Sequence, residues 1–161
     1  IAWCIPTPTV LEYIVAQQKP IVEIGGGRGY MARELTRLGA IVVSYDIMLP
    51  TKGHKFFDVQ KGDQSMIRKH PGSALLLCFP PQVGHDHSEM SAECVKIFHH
   101  IGGQDIFFMG ERGGVTKIEM ASVATPEFWQ ALARLGYKLV KEMSMAQLPH
   151  DYSVMCHYSC K

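Results

Sequence analysis

The chain has 161 residues, of which 47% are hydrophobic and 19% are charged, and its formal net charge is +1. This is the composition of a folded globular protein, since disordered chains carry more charge and fewer apolar side chains. The sixteen lysines and arginines are scattered, which argues against a broad basic surface for nucleic acid. No apolar run reaches the roughly 20 residues of a membrane helix. We therefore expect a single domain over residues 1–161 and no membrane insertion.

Five cysteines, at positions 4, 78, 94, 156 and 160, form no CxxC pair. Free thiols in a reducing compartment are the simplest interpretation of this spacing. We therefore expect a cytoplasmic or nuclear location.

The stretch from Ile21 to Tyr30 combines a short apolar run with glycines at alternate positions, Gly25, Gly27 and Gly29. An amphipathic segment over residues 31–38 follows, with apolar side chains at the i, i+4 and i+7 positions of a helix face. Strand, glycine turn and helix in this order form the first unit of a nucleotide-type binding fold. We expect the glycines to form a sharp turn whose bare backbone a ligand can approach.

Glu23 precedes the first glycine by two residues and bears on the charge of the ligand. A carboxylate there disfavours a pyrophosphate, which helix-terminal N–H groups would attract, and suits a cationic ligand. Tyr30 also stands where the dinucleotide fingerprint has its third glycine. An acid, a spacer and three alternating glycines resemble the first motif of the class I S-adenosylmethionine-dependent methyltransferases. The resemblance implies S-adenosyl-L-methionine as the cofactor, in contact with Glu23, Gly25, Gly27, Gly29 and Tyr30.

The second and third predicted strands each carry an acid near their end. Residues 40–46 form a buried run closed by Asp46, and a carboxylate at this strand end accepts hydrogen bonds from two ribose hydroxyls at once. An acid that caps the next turn is the alternative. Residues 54–60 look like the third strand, with Asp58 near its end. In the methyltransferase family such an acid approaches the adenine amino group, and a plain loop acid is the alternative. The predicted cofactor contacts therefore include Asp46, Ile47, Asp58 and Val59.

The most hydrophobic run, residues 73–79, is predicted as the central fourth strand, and Pro80 and Pro81 end it because neither donates to a sheet ladder. Ligands bind beyond the carboxyl ends of parallel strands. We therefore predict Cys78 and Phe79 as cofactor contacts and the two prolines as catalytic residues at the transferred methyl.

Methyltransferases that act on amino groups of nucleobases or glutamine carry a polar residue, two prolines and an aromatic residue at this strand end. The chain resembles that pattern only at Pro80 and Pro81, because Phe79 replaces the polar residue and Gln82 the aromatic one. A strand ended by prolines without catalytic meaning is the alternative.

His85, Asp86 and His87 follow the prolines, but successive side chains diverge, which argues against a metal site. Asp86 or a neighbouring histidine is a candidate general base or substrate contact, with a solvated loop as the alternative. Glu111 follows the predicted fifth strand and is a further candidate catalytic base or substrate anchor. A structural acid paired with an arginine is the alternative there.

Residues 137–145 and 152–160 are two further predicted strands, and the short connection between them, 147–151, predicts an antiparallel hairpin. Class I methyltransferases end their sheet with such a reversed strand, whereas dinucleotide folds typically keep their strands parallel. We therefore predict an α/β three-layer sandwich around a seven-stranded, mostly parallel sheet whose last strand is antiparallel.

The resemblance implies methyl transfer from S-adenosyl-L-methionine to an amine or related nucleophile in nucleic acid, protein or a small molecule. Such a step needs mainly alignment of the nucleophile and removal of one proton. A cofactor-binding but inactive subunit of a methyltransferase complex is the alternative, and an NAD-linked oxidoreductase is a third hypothesis, disfavoured by Glu23, Tyr30 and the hairpin. Short RNA and protein are candidate acceptors, and a partner chain is a candidate source of substrate recognition.

Overall fold

The computed structural model describes residues 5–112, 123–146 and 152–161. The strands are β1 (Ile21–Ile24), β2 (Val42–Asp46), β3 (Gln60–Lys61), β4 (Ala74–Cys78), β5 (Asp105–Gly110), β6 (Lys138–Ser144) and β7 (Val154–Ser159). The helices are α1 (Pro8–Ala16), α2 (Tyr30–Arg37), α3 (Met90–His100) and α4 (Pro126–Arg134), with a 3-10 helix at Gln64–Lys69. Within these three ranges, no helix has the length and apolar character needed to cross a membrane.

The seven strands form one sheet in the order β3-β2-β1-β4-β5-β7-β6. Each neighbouring pair from β3 to β5 is parallel, and β7 is antiparallel to both β5 and β6. The predicted seven-stranded sheet with an antiparallel last strand is therefore confirmed. The hairpin connection predicted at 147–151 lies outside the described residues.

Side chains of the central strands alternate between two apolar cores, as the pleat of a β-strand requires. In β4, Leu75 and Leu77 enter the core that also holds residues of α3 and α4, whereas Leu76 enters the core that holds residues of α1 and α2. In β5, Phe108 and Phe107 divide in the same way. Helices therefore cover both faces of the sheet, which confirms the predicted three-layer sandwich.

The third strand is shorter than predicted and lies later in the chain. β3 spans only Gln60–Lys61, which pair with Tyr45 and Asp46 of β2. The residues before it lie against the start of α2, where the backbone N–H of Phe56 donates to the carbonyl of Arg28 at 2.8 Å. The prediction of a strand over residues 54–60 is wrong, because contacts with α2 replace the ladder that it required.

Candidate functional site

A cleft of about 480 Å³ opens at the carboxyl ends of β1, β2 and β4. In an open α/β sheet the strand order reverses at such a point, and the flanking helices leave a crevice there. Its volume lies within the roughly 300–1,000 Å³ that is usual for small-molecule sites. The described residues that line the cleft are Ile24, Gly25, Gly27, Asp46, Ile47, Met48, Gly62, Asp63, Gln64, Cys78, Phe79, Pro80, Pro81, Asp86, His87, Glu89 and Met90.

The structure brings most of the predicted site residues to this cleft. Those on its wall are Gly25, Gly27, Asp46, Ile47, Cys78, Phe79, Pro80, Pro81 and Asp86. Those that the described wall does not include are Glu23, Gly29, Tyr30, Asp58, Val59 and Glu111.

Asp46 joins the end of β2 to the glycine turn. Its carboxylate oxygens accept one hydrogen bond each, Oδ2 from the backbone N–H of Gly27 at 2.8 Å and Oδ1 from the backbone N–H of Met48 at 2.7 Å. Because a carboxylate oxygen has about two acceptor positions, these two bonds fix the orientation of the group and leave each oxygen able to accept one more. Asp46 is thus an oriented acceptor at the wall of the cleft.

The glycine turn depends on Gly26, which the alternating pattern of glycines did not single out. A Cβ atom at Gly26 would lie 2.0 Å from Oγ of Ser44 and 2.8 Å from Oε2 of Glu23. Gly25 and Gly27 on either side have φ angles of +79° and +56°, which side chains rarely adopt. The backbone of the turn therefore lies directly on the side chains beneath it.

Glu23 is one of those side chains and faces away from the cleft. It is 1% exposed and accepts a hydrogen bond from Oγ of Ser44 at 2.6 Å. Burial raises the pKa of Glu23 to about 7, against the effect of the Ser44 hydrogen bond and with a further contribution from the charge of Asp46. Glu23 therefore supports the turn from below, and its contact with a ligand stays a prediction.

Gly29 and Tyr30 form the start of α2 and lie outside the described wall. Gly29 is the N-cap in the left-handed region, with φ of +77°, and a Cβ there would lie 2.4 Å from Cβ of Phe57. The ring of Tyr30 packs edge-on against Phe56 at 5.6 Å between centroids. Both positions therefore serve the packing of the 56–57 segment on α2.

The acid that follows the third strand on the cleft wall is Asp63, not Asp58. Asp58 is exposed, and Val59 is buried beneath Gly29, where an added Cβ would lie 2.9 Å from Cγ2 of Val59. Asp63 caps the 3-10 helix, with Oδ1 accepting from the backbone N–H of Ser65 at 2.9 Å. The later position of β3 accounts for this difference, and the pair Gly62-Asp63 in the sequence was the available signal for it.

Phe79 makes an unusual turn at the end of β4. Its φ is +54°, a left-handed conformation that costs a non-glycine residue on the order of 1–3 kcal/mol and that a following proline further disfavours. Its backbone N–H donates to the carbonyl of Met109 at 2.7 Å, which supports the turn. Pro80 and Pro81 then continue along the cleft wall.

The loop after the prolines places one acid and one histidine at the cleft. Asp86 and His87 line it, whereas His85 is not part of the described wall. Nδ1 of His87 lies 4.0 Å from Oε1 of Glu89. Over the described residues, no group of three histidine, cysteine, aspartate or glutamate side chains has the arrangement of a metal site.

Glu111 follows β5 but is separate from the described wall of the cleft. Its Oε1 accepts a hydrogen bond from the backbone N–H of Tyr152 at 3.2 Å. Its neighbour Arg112 pairs with Glu142 of β6, with Nη1 and Oε2 at 2.8 Å. Glu111 therefore contacts the segment that precedes β7, and Arg112 pairs with Glu142 rather than with Glu111.

The cleft wall is acidic. Its described side chains include the carboxylates of Asp46, Asp63, Asp86 and Glu89, with His87 as the basic residue and neither lysine nor arginine among them. Like charges repel in a partly desolvated cleft more strongly than in water. The described wall therefore disfavours a pyrophosphate and favours a ligand with positive charge.

The fold is that of the class I S-adenosylmethionine-dependent methyltransferases. Similar solved structures include the magnesium protoporphyrin IX methyltransferase of Synechocystis PCC 6803 with bound SAH, at a TM-score of 0.60 and 12% identity over 95% of this chain and 80% of that chain. The methyltransferase domain of a bacterial Hen1 gives 0.57 and 13% over 92% and 96%. Human N-acetylserotonin methyltransferase in complex with SAM gives 0.54 and 17% over 94% and 50%. No family model matches the sequence, and no curated protein sequence matches it either.

Proposed function

We propose that this protein is an S-adenosyl-L-methionine-dependent methyltransferase and that the cleft is its cofactor site. The observation that carries the proposal is the bond of 2.8 Å between the Gly27 N–H and the Asp46 carboxylate, at the strand-order reversal of a class I methyltransferase fold. An adenosyl compound with a sulfonium and an ammonium but no phosphate fits an acidic wall without described lysine or arginine. When bound, the cofactor supplies an electrophilic methyl group.

The adenosyl half of such a ligand would lie on the β2 side of the cleft. Asp46 keeps one acceptor position on each oxygen for the two ribose hydroxyls. Ile47, which is 37% exposed, offers an apolar side chain for the adenine ring. Asp63 has Oδ1 bound by Ser65, which leaves Oδ2 for the adenine amino group.

The methyl acceptor would enter past the end of β4. Cys78, Phe79 and Pro80 give this part of the wall an apolar surface, which keeps water from competing with the nucleophile. Asp86 and His87 line the same cleft and are exposed, so either side chain is able to take the proton that the acceptor loses. Alignment by the wall and one proton acceptor are the main requirements of the step.

Transfer of a radiolabelled methyl group to fractionated RNA, protein and metabolites of the source cell tests the proposal. The wild-type chain should label at least one fraction, and Asp46→Asn should lower the rate by about tenfold or more, because one charged acceptor of the ribose is lost. Asp58→Asn is the matched control, since it removes the same charge from an exposed position that is not part of the described wall. Equal rates for the two variants would contradict the assignment of Asp46.

A cofactor-binding subunit without activity of its own is the second candidate. Phe79 favours it, because an apolar side chain stands where amino-group methyltransferases carry a polar residue beside the two prolines. Binding of the cofactor without labelling of any fraction, together with co-purification of a second chain that restores labelling, would select this candidate over an enzyme that acts alone.

A further inference from the structure

Two segments that are distant in sequence form one basic and aromatic surface beside the cleft. The first is the start of α2, and the second is the connection between β2 and β3. We call this surface the basic-aromatic patch, and its residues are Arg28, Tyr30, Arg33, Lys52, His54, Lys55 and Phe56.

Hydrogen bonds join the two segments into a single surface. The backbone N–H of Phe56 donates to the carbonyl of Arg28 at 2.8 Å, and Nη1 of Arg28 donates to the carbonyl of His54 at 3.1 Å. The guanidinium of Arg28 also lies across Gly53, where a Cβ would approach its Nη1 to 2.5 Å. The charge of Arg28 is therefore fixed against the connection by backbone contacts.

The rings of the patch pack on one another. Phe56 makes edge-on contacts with Tyr30 at 5.6 Å and with His54 at 4.9 Å. The guanidinium carbon of Arg33 lies 4.9 Å from the ring centroid of Phe56 and 5.6 Å from that of Tyr30. Planar groups and cations thus alternate, and His54 at the outer end of the row is exposed.

The patch carries an excess of positive charge that the whole chain does not show. Residues 28–37 and 52–58 contain five lysines and arginines against two acids, a net charge of +3, whereas the chain has +1 and the rest therefore has −2. Arg33 pairs with Glu34 at 2.7 Å. Arg28, Lys52 and Lys55 have no carboxylate of a described residue within 4.0 Å.

The patch borders the mouth of the cleft. Gly27 and Met48 line the cleft, and the two segments of the patch begin one and four residues after them. A polyanion on the patch would therefore pass the mouth of the cleft. Because the cleft wall is acidic, the phosphates of the polyanion would stay outside, and only an uncharged or cationic part would enter.

We propose that the basic-aromatic patch binds single-stranded nucleic acid, with backbone phosphates on Arg28, Lys52 and Lys55 and a base stacked on His54. Cations that follow a backbone, interleaved with rings on which bases stack, are the general means of binding a single strand. Base pairs in a duplex shield their faces from such stacking, and an anionic membrane offers no planar group for it. The binding goes beyond the proposed methyl transfer and needs no cofactor, although the position of the patch makes the strand a candidate methyl acceptor.

Fluorescence anisotropy with a labelled oligouridine of about 20 nucleotides tests the proposal. We expect wild-type affinity to fall as salt rises from about 50 to 200 mM, with a slope of roughly 0.7 per phosphate contact. The double variant Lys52→Gln/Lys55→Gln should weaken binding on the order of tenfold at the lower salt and reduce the slope by about 1.4. His54→Ala should weaken binding about fivefold or more, because one stacked base is lost.

Lys138→Gln/Lys141→Gln is the matched control, because it removes the same charge from exposed positions on β6, at the sheet edge opposite β3. Its affinity and slope should equal those of the wild type. Three results would each overturn the proposal. The first is an equal loss of affinity in both double variants, and the second is tighter binding of a duplex than of the single strand. The third is binding of phosphatidylserine vesicles without binding of the oligonucleotide. Cofactor titration of the same variants separates this result from the proposed function, since none of the changed residues lines the described cleft.

Discussion

The carboxyl group of Glu23 lies beneath the glycine turn, and its replacement by glutamine tests how the turn is built. Burial raises the pKa of Glu23 from 4.5 to about 7. The folded protein therefore binds the proton more tightly than the unfolded chain, so the contribution of Glu23 to stability is greatest below pH 4.5 and is lost as the pH rises towards 7. At 1.36 kcal/mol per unit, the loss between pH 5 and pH 8 is about 2.5 kcal/mol.

Glutamine does not ionise, so Glu23→Gln should not show this loss. Urea unfolding at pH 5 and at pH 8 gives the unfolding free energy of the wild type and of the variant, and the difference between the two proteins is compared at the two pH values. Any cost of the amide beside Ser44 that does not depend on pH cancels in this comparison. We expect that difference to move by about 2.5 kcal/mol in favour of the variant at pH 8. Glu12→Gln on the exposed side of α1 is the control for the loss of one carboxylate. A difference that stays constant across this pH range would refute the raised pKa of Glu23.

Two further predictions concern stability. Asp105 is 5% exposed and bonds to Lys19 and to Nε2 of His157. Burial opposes the ionisation of Asp105, but these bonds outweigh burial and hold its pKa below the usual range. The stabilising effect of the ionised carboxylate is therefore full above pH 4 and is lost at lower pH. Asp105→Asn should cost about 3 kcal/mol at pH 7 and flatten the acid limb of the unfolding curve, and an unchanged limb would contradict the assignment. Gly26→Ala should cost about 1–3 kcal/mol in urea unfolding because its Cβ would overlap Oγ of Ser44, and adding Ser44→Ala should recover part of the loss. A double variant as unstable as the sum of the single ones would show that the overlap is not the cause.

The fold was predictable because its main features follow from patterns along the chain. Parallel strands meet at one sheet edge with their carboxyl ends, so a glycine turn after β1 and an acid closing β2 had to come close, as Gly27 and Asp46 do at 2.8 Å. The two prolines after the most apolar strand marked the end of β4, because proline cannot donate to the sheet ladder. Chain order and strand ends therefore sufficed for most of the cleft wall.

The remaining site residues depended on contacts that a sequence does not display. Glu23 faces Ser44 because β1 and β2 pair in that register, and only the register decides which side of the turn the acid occupies. Apolar and aromatic residues suggested a strand over 54–60, but Phe56 instead bonds to the carbonyl of Arg28 and packs on the ring of Tyr30 at the start of α2. The acid that follows β3 is therefore Asp63 and not Asp58, because the packing of Phe56 on α2 shifts the strand to Gln60–Lys61.

The basic-aromatic patch is a further feature that the sequence alone did not reveal. Its cations are single residues in the sequence and form no run, which is why the composition argued against a nucleic acid surface. The bond between Phe56 and Arg28 brings the two segments together. Charge patterning along the chain therefore underestimates a surface that the fold assembles.

Isothermal titration of the protein with S-adenosyl-L-methionine tests the central assignment, that the cleft at the ends of β1 and β2 takes a cationic, phosphate-free adenosyl compound. We expect saturable heat with one site for the wild type and for Asp58→Asn, at least about tenfold weaker binding for Asp46→Asn, and no heat with NADH. Saturable binding of NADH, or S-adenosyl-L-methionine binding that is the same with and without the Asp46 carboxylate, would contradict it.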